Sequence, residues 1–426
     1  VVIANPPYLE ARSPLFNDKM KNDYQNAVTS RWGNDSELIV RGSDLLIYFI
    51  ELSLILIKNN GISVYLTQNS WLDTEYGKKF QQFLLKHTFV AGIIDSDYKY
   101  FNSNDGPNIN TIISIFSGKK PQISKEIVFA RYHTDFGEIN DSFNQLQDSN
   151  DVSVKRYYYN DQILFKQKWG ILSSTELEII DLIKRAEDLG FYIDDIPLGN
   201  FQVGQGLNLT KDYFMDPIIV KNSKIIPYYI FTSKDDAPFV VSKTQYILID
   251  EMFKNEIDIG NHKFYHKTTK IPPILIMPRG IGRHFCALNT SNSYSSSGVE
   301  IYDIDGNAEK EVIMNLWLFL NSSFAWLIRE LSGRKNLGGG MLKAEAVDLK
   351  YFKLYYDFNC FERINSIFEK LSKRKSLDTI SEVDTLEHKE IDNIVFNHFS
   401  FNKNEARLIV SKLCSLILQR SKKSRT

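Results

Sequence analysis

Short apolar runs, each closed by proline, glycine or a polar exit, order the first 120 residues and restrict the fold more than any other feature. Val1 to Ala4 is strand-like and ends on Asn5-Pro6-Pro7-Tyr8. Ser43-Asp44 then open Leu45 to Ile57, apolar almost all round and closed by Lys58-Asn59-Asn60-Gly61, which predicts a buried helix with a glycine stop. It is too short for a membrane span, and Glu51 interrupts it. Ile62 to Leu66 predicts a strand, Thr67-Gln68-Asn69-Ser70-Trp71 a polar exit, and Tyr76 to His87 a second helix. Val90 to Ile94 and Ile109 to Phe116 predict two further strands. Such an alternation is the second half of a doubly wound α/β sheet, whose ligands bind at the carboxyl ends of strands. Asn5 to Tyr8 and Gln68 to Trp71 both fall at such ends.

The tetrapeptide Asn5-Pro6-Pro7-Tyr8 suits one kind of chemistry. An exocyclic adenine amine is a poor nucleophile because its lone pair is delocalised into the ring. The Asn5 side-chain oxygen and the Pro6 carbonyl can accept hydrogen bonds from such an amine, drawing the lone pair back onto nitrogen for in-line attack on a sulfonium methyl. Proline fixes φ, so that carbonyl direction is set in advance, and Tyr8 offers a face for a planar base. The plain alternative is a Pro-Pro turn with an ordinary half-buried tyrosine.

These residues in this order resemble the adenine-N6 DNA methyltransferases of restriction-modification systems, most closely the large type IIG-like enzymes in which a target-recognition domain follows the catalytic domain. The resemblance implies that Asn5, Pro6, Pro7 and Tyr8 form the catalytic loop, and that Asn69, Ser70 and Trp71 line the base pocket. It also implies that Phe101 packs on the base, that S-adenosylmethionine is the methyl donor and that double-stranded DNA is the partner. The family places its glycine-rich cofactor loop and acidic ribose ligand upstream of the catalytic loop, and neither occurs here. The expectation is therefore a fragment needing the missing N-terminal part of the same enzyme or a complementing chain. Methyl transfer absent from the segment alone and restored by the upstream segment is the expected outcome; robust activity alone would contradict it.

The fold class expected is a partial doubly wound α/β methyltransferase sheet, then an α+β target-recognition domain, then a C-terminal helical segment. The catalytic half spans 1-120, closing near Gly118-Lys119-Lys120-Pro121. A connector covers 121-195, with a strand-like Ile127 to Tyr132 and a bridging helix whose capping box is Thr175 with Glu178. Short strands and turns fill 196-355 as the recognition domain, where Gly204-Gln205-Gly206 reads as a turn and Leu316 to Leu331 as one apolar helix. The helical segment, 356-426, ends in a basic tail of Arg420, Lys422, Lys423 and Arg425 that reads as solvated.

With 426 residues, 43% of them hydrophobic, the chain can build two or three cores, and a net charge of -1 excludes a uniformly basic nucleic-acid binder. Charge is instead segregated. Ile259 to Val299 holds no acid but carries Lys263, Lys267, Lys270, Arg279 and Arg283; Leu331 to Ala344 carries Arg334, Lys335 and Lys343 around a glycine triplet. Such patches suit DNA phosphates, and solvated loops are the bland alternative. Cys286, Cys360 and Cys414 have no paired spacing, which points to a reducing, cytoplasmic setting without disulfides. The seven histidines form no metal signature, no membrane span appears, and Glu387-His388-Lys389 has only the bare spacing of a nuclease motif on a helix. Two rivals keep the same catalytic loop: a protein-glutamine methyltransferase, and a non-catalytic DNA-specificity or phage-defence module.

Overall fold

A computed structural model describes residues 1-97, 110-118, 125-133, 146-206, 214-215, 225-230, 238-241, 246-249, 271-291, 294-296, 298-333, 342-350 and 353-422. The chain divides into two compact units, Val1–Leu177 and Glu178–Thr426.

In the first unit, β1 (Val2–Ala4), β2 (Ile62–Gln68), β3 (Phe89–Ser96), β4 (Thr111–Ser117), β5 (Glu126–Tyr132) and β6 (Val152–Tyr158) form one sheet in the order β1-β2-β4-β3-β5-β6. β1 runs parallel to β2 and β3 parallel to β5, so their carboxyl ends share one edge. β4 lies antiparallel between β2 and β3, and β6 is antiparallel to β5. The sheet is therefore mixed. No apolar-periodic helix separates Ser96 from Thr111 in the sequence, and consecutive strands without a crossover helix pair antiparallel. It also continues past residue 120: β5 and β6 complete the sheet that the sequence reading closed there, because Ile127 to Ala130 is a fully buried apolar run.

The crossover from β1 to β2 contains α1 (Asp18–Trp32) and α2 (Leu45–Leu56); α3 (Glu75–His87) links β2 to β3, and α4 (Ile163–Lys166) and α5 (Trp169–Ser174) follow β6. Glu51 interrupts the apolar α2 for a reason: it is fully buried and accepts from Arg31 Nε (2.8 Å) and Nη2 (2.5 Å) and from the Trp32 indole. Its desolvation is offset by three charge-assisted donors. α2 is less enclosed than its composition predicts, with Phe49, Leu52 and Leu56 exposed, as are Val1 and Ile3 at the β1 edge.

The second unit opens with α6 (Leu177–Glu187). Its strands are β7 (Phe201–Gln205), β8 (Phe214–Met215), β9 (Ile225–Ile230), β10 (Val240–Val241), β11 (Tyr246–Ile249), β12 (Leu275–Pro278), β13 (Gly280–Ile281), β14 (Ala287–Asn289), β15 (Tyr294–Ser296), β16 (Gly298–Asp303) and β17 (Leu342–Lys343). They make a five-stranded sheet β10-β14-β12-β16-β7, a four-stranded sheet β15-β9-β11-β8 and the pair β13-β17. Gly204-Gln205 is not a turn but part of β7, opposite Glu300 and Val299 of β16. The predicted helix Leu316 to Leu331 is two, α7 (Lys310–Leu320) and α8 (Ser323–Ser332), bent by 63°. Asn321 causes the break: its amide accepts from the Cys286 backbone N–H (2.8 Å) and donates to the Cys286 carbonyl (2.9 Å), and Ser322 then caps α8. Among the described residues no single helix is long and apolar enough to cross a membrane, and the bent pair that passes by length and composition is largely buried.

Behind α8 stand α9 (Ala346–Leu349), α10 (Phe361–Leu371), α11 (Thr379–Glu382), α12 (Leu386–His398) and α13 (Lys403–Lys422). Arg420 does not belong to a solvated tail. It is buried, donates to Glu330 of α8 from Nη2 (2.9 Å) and to the Ile281 carbonyl from Nη1 (2.8 Å), and so clamps α13 to α8 and β13. His284 bonds the same carboxylate oxygen at 2.8 Å.

Burial pushes His284 down to about 4, against the pull of Glu330; burial raises Glu330, but His284 and Arg420 outweigh it and hold its carboxyl below the ordinary range. Between the ordinary histidine value of 6.5 and about 4, the unfolded chain holds a proton that folded His284 lacks, so stability falls as pH drops through that window. Depressed Glu330 adds a loss of the same sign at lower pH. The urea midpoint should fall progressively from pH 7 to 4, and His284→Gln should flatten that slope; an unchanged slope contradicts the assignment.

Candidate active site

The parallel pairing of β1 and β2 brings the two sequence-predicted loops to one end of the sheet. Asn5 to Tyr8 leaves β1 there, and Asn69 to Leu72 forms a 3-10 turn directly after β2. Tyr8 is half-buried and its hydroxyl donates to the Leu66 carbonyl on β2 at 3.1 Å, which ties its ring to the neighbouring strand. Burial raises the Tyr8 hydroxyl above its ordinary value, so it stays a donor. Pro6 is buried whereas Asn5 and Pro7 are exposed. Among the described residues neither the Asn5 side chain nor the Pro6 carbonyl is engaged in a hydrogen bond. Both acceptors thus lie just before the anchored Tyr8.

Asp44 does most of the holding, and the sequence reading saw in it only a helix opener. It occupies the N-cap of α2 with extended backbone, yet its carboxylate does not cap the helix. Oδ1 accepts from the Ala11 N–H at 2.9 Å; Oδ2 accepts from Gln68 Nε2 at 2.8 Å and from the Tyr76 hydroxyl at 2.5 Å. The Leu45 N–H donates to the Leu9 carbonyl beside it. One buried carboxylate therefore joins the loop after β1, the end of β2 and the start of α3. Burial, and then Asp44 itself, push the Tyr76 phenol well above its ordinary value. No local pattern around Ser43-Asp44 distinguishes such a hub from an ordinary cap.

Asn69 and Ser70 are partly exposed beside this cluster. The Asn69 N–H donates to the Asn110 carbonyl at 3.0 Å, and the Ser70 hydroxyl lies 3.3 Å from that of Tyr76. Trp71 departs from the expectation that it lines the pocket. It is fully buried, packs edge-on against Phe80 and Trp169, and donates from Nε1 to Thr67 Oγ1 at 3.2 Å, so its face is not offered to a base. Gly77 permits this packing, since a Cβ there would lie 1.8 Å from the Trp71 carbonyl oxygen. Phe101 lies outside the described residues.

Of the candidate DNA contacts, Lys263, Lys267, Lys270, Arg334 and Lys335 lie outside the described residues. Arg279 and Arg283 are not bare surface cations: Arg279 pairs with Glu345, and Arg283 donates to the Ser376 carbonyl at 2.7 Å. His388, from the nuclease-like spacing, is buried against Ser323 Oγ at 2.9 Å, and no potential metal cluster occurs among the described residues.

Removal of the Asp44 carboxylate should release the loop. Asp44→Ala is expected to speed hydrogen exchange at the Ala11 amide by about tenfold or more, the equivalent of one lost charge-assisted bond, and to lower the melting temperature. Unaltered exchange there would show that the loop is held by other contacts.

Residues 1–101 match the family described as Eco57I restriction-modification methylase. The type II methyltransferase M.BstVI of Geobacillus stearothermophilus is 24% identical over 224 residues, covering 51% of this chain and 37% of the relative. Among solved structures, the type IIL restriction-modification enzyme MmeI in complex with DNA matches over 99% of this chain and 57% of its own, with 13% identity and a TM-score of 0.53. The type IIG restriction endonuclease BpuSI matches over 100% of this chain and 54% of its own, with 13% identity and a TM-score of 0.45. The chain thus spans less than two thirds of the length of each of these proteins, shares a fold with MmeI, and is similar over its first 101 residues to the restriction-modification methylase family.

Proposed function

We propose that the chain is the acceptor-binding and DNA-reading part of a site-specific adenine-N6 DNA methyltransferase of a restriction-modification system. The observation that carries this reading is the loop after β1, where Asn5 Oδ1 and the Pro6 carbonyl are unengaged among the described residues while Tyr8 and Ala11 are anchored to Leu66 and Asp44. Two acceptors beside the anchored Tyr8 can draw the lone pair of an exocyclic amine out of conjugation. Tyr8, with its hydroxyl committed to Leu66, presents a ring on which the base stacks. No strong general base is needed, because the amine proton becomes acidic once the methyl has moved.

S-adenosylmethionine would supply an electron-poor methyl group. Among the described residues the first unit has no glycine-rich strand-to-helix loop to cradle it, so the residues present do not make up a donor site. We assign that site to sequence outside these 426 residues, in keeping with the 37% and 57% of the relatives' lengths that the chain covers. The second unit is assigned to duplex DNA, a reading supported by the shared fold with MmeI, whose structure is in complex with DNA. Flipping the target base out of the duplex costs a few kcal/mol, which stacking on Tyr8 and phosphate contacts offset.

An enzyme containing this chain should generate N6-methyladenine in duplex DNA, measured by mass spectrometry of the released nucleosides. Asn5→Ala should lower methylation by about a hundredfold or more while DNA affinity is unchanged. Retained methylation would overturn the role of Asn5, N4-methylcytosine would overturn the adenine assignment, and a methylated glutamine in place of DNA would transfer the loop to a protein substrate.

A further inference from the structure

The turn between β12 and β13 presents Arg279 in an unusual setting. Its guanidinium pairs side-on with Glu345, Nε to Oε2 at 2.8 Å and Nη2 to Oε1 at 3.1 Å. Glu345 is itself fixed at the N-cap of α9 by a reciprocal capping box with Asp348, its N–H donating to Asp348 Oδ2 at 2.8 Å. Lys343 Nζ lies 2.7 Å from Glu345 Oε1, so two cations share this carboxylate. With its amide oxygen turned inward, Gln205 at the end of β7 accepts from Arg279 Nη1 at 2.6 Å. The Arg279 backbone is held separately, its carbonyl accepting from the Ala344 N–H at 2.9 Å and the preceding Pro278 carbonyl accepting from buried Arg329 at 2.7 Å.

This is more order than a phosphate contact needs. An arginine offers five N–H donors; Glu345 and Gln205 use three of them, leaving one on each Nη without an acceptor among the described residues. Those two donors match the O6 and N7 acceptors on the major-groove edge of guanine. The Arg279 side chain retains 17% exposure, enough to be reached along one edge. Its rotamer entropy is already lost in the free protein, the condition under which a polar contact discriminates best.

We propose that Arg279 is a specificity-determining residue that reads a guanine of the target site, with Glu345 as its positioning residue. The inference rests on the DNA-reading role given above to the second unit. Its test is selection of bound sequences from a randomised duplex library by the full enzyme containing this chain, alongside the salt dependence of binding to non-selected DNA. Wild type should enrich guanine at one position. Arg279→Gln should reduce that preference by about ten- to a hundredfold, the range of one bidentate arginine–guanine contact, with the salt slope unchanged. Arg279→Lys keeps the charge and a partner for Glu345 but lacks the planar fork, so it should fold normally and lose the same preference.

An unaltered preference in either folded variant overturns the proposal. A uniform loss over all sequences, with the salt slope falling by about one, also overturns it by making Arg279 a phosphate contact. Unfolding of both variants would make the cluster structural. Failure of the wild type to bind or enrich any DNA sequence would instead overturn the function on which the proposal stands.

Discussion

A single buried carboxylate, Asp44, holds the first unit's working end together. Three chain segments approach it, carrying Ala11, Gln68 and Tyr76, and each donates one hydrogen bond. A buried carboxylate must be satisfied or it destabilises the fold by several kcal/mol. Asp44 therefore enforces the mutual position of loops that have little apolar surface of their own. Strand pairing sets which ends meet, and this hub sets how closely. Tyr8, tied to Leu66, anchors the loop after β1, on which the Asn5 side chain and the Pro6 carbonyl are unengaged among the described residues.

The second unit answers the same problem with arginines. Arg420 and His284 converge on Glu330, and Arg279 with Lys343 on Glu345. In both clusters the arginine and the acid come from distant parts of the chain. Arg420 and Glu330 are 90 residues apart, and Arg279 and Glu345 are 66 apart. Pairing over such separations closes long loops, so it fixes tertiary arrangement more than it adds to net stability.

What was legible in the sequence follows from range. β1, β2, α2, α3 and β3 are specified by apolar periodicity and local stop signals, and they occur close to where those signals place them. The tetrapeptide Asn5 to Tyr8 stands out in the sequence because the chemistry proposed for it is carried by consecutive residues. Asp44 was not, since its partners lie 33, 24 and 32 residues away. Trp71 was misplaced because a tryptophan after a strand can serve a pocket or a core, and Phe80, Trp169 and Gly77 decide for the core. The break at Asn321 depends on Cys286, and the compensation of Arg279 on a glutamate beyond the acid-free stretch. Each is a partner chosen in three dimensions.

The backbone bonds at Pro278 and Arg279 carry one more implication. Arg329 and Ala344 hold that turn through its carbonyls, and Gly280 pairs with Lys343, so main-chain bonds support its course whichever side chain residue 279 bears. A scaffold fastened through main-chain atoms tolerates exchange of the side chain it displays. Such a turn is open to evolutionary drift at a single position: the residue shown to the outside can change by one codon while the frame around it stays in place.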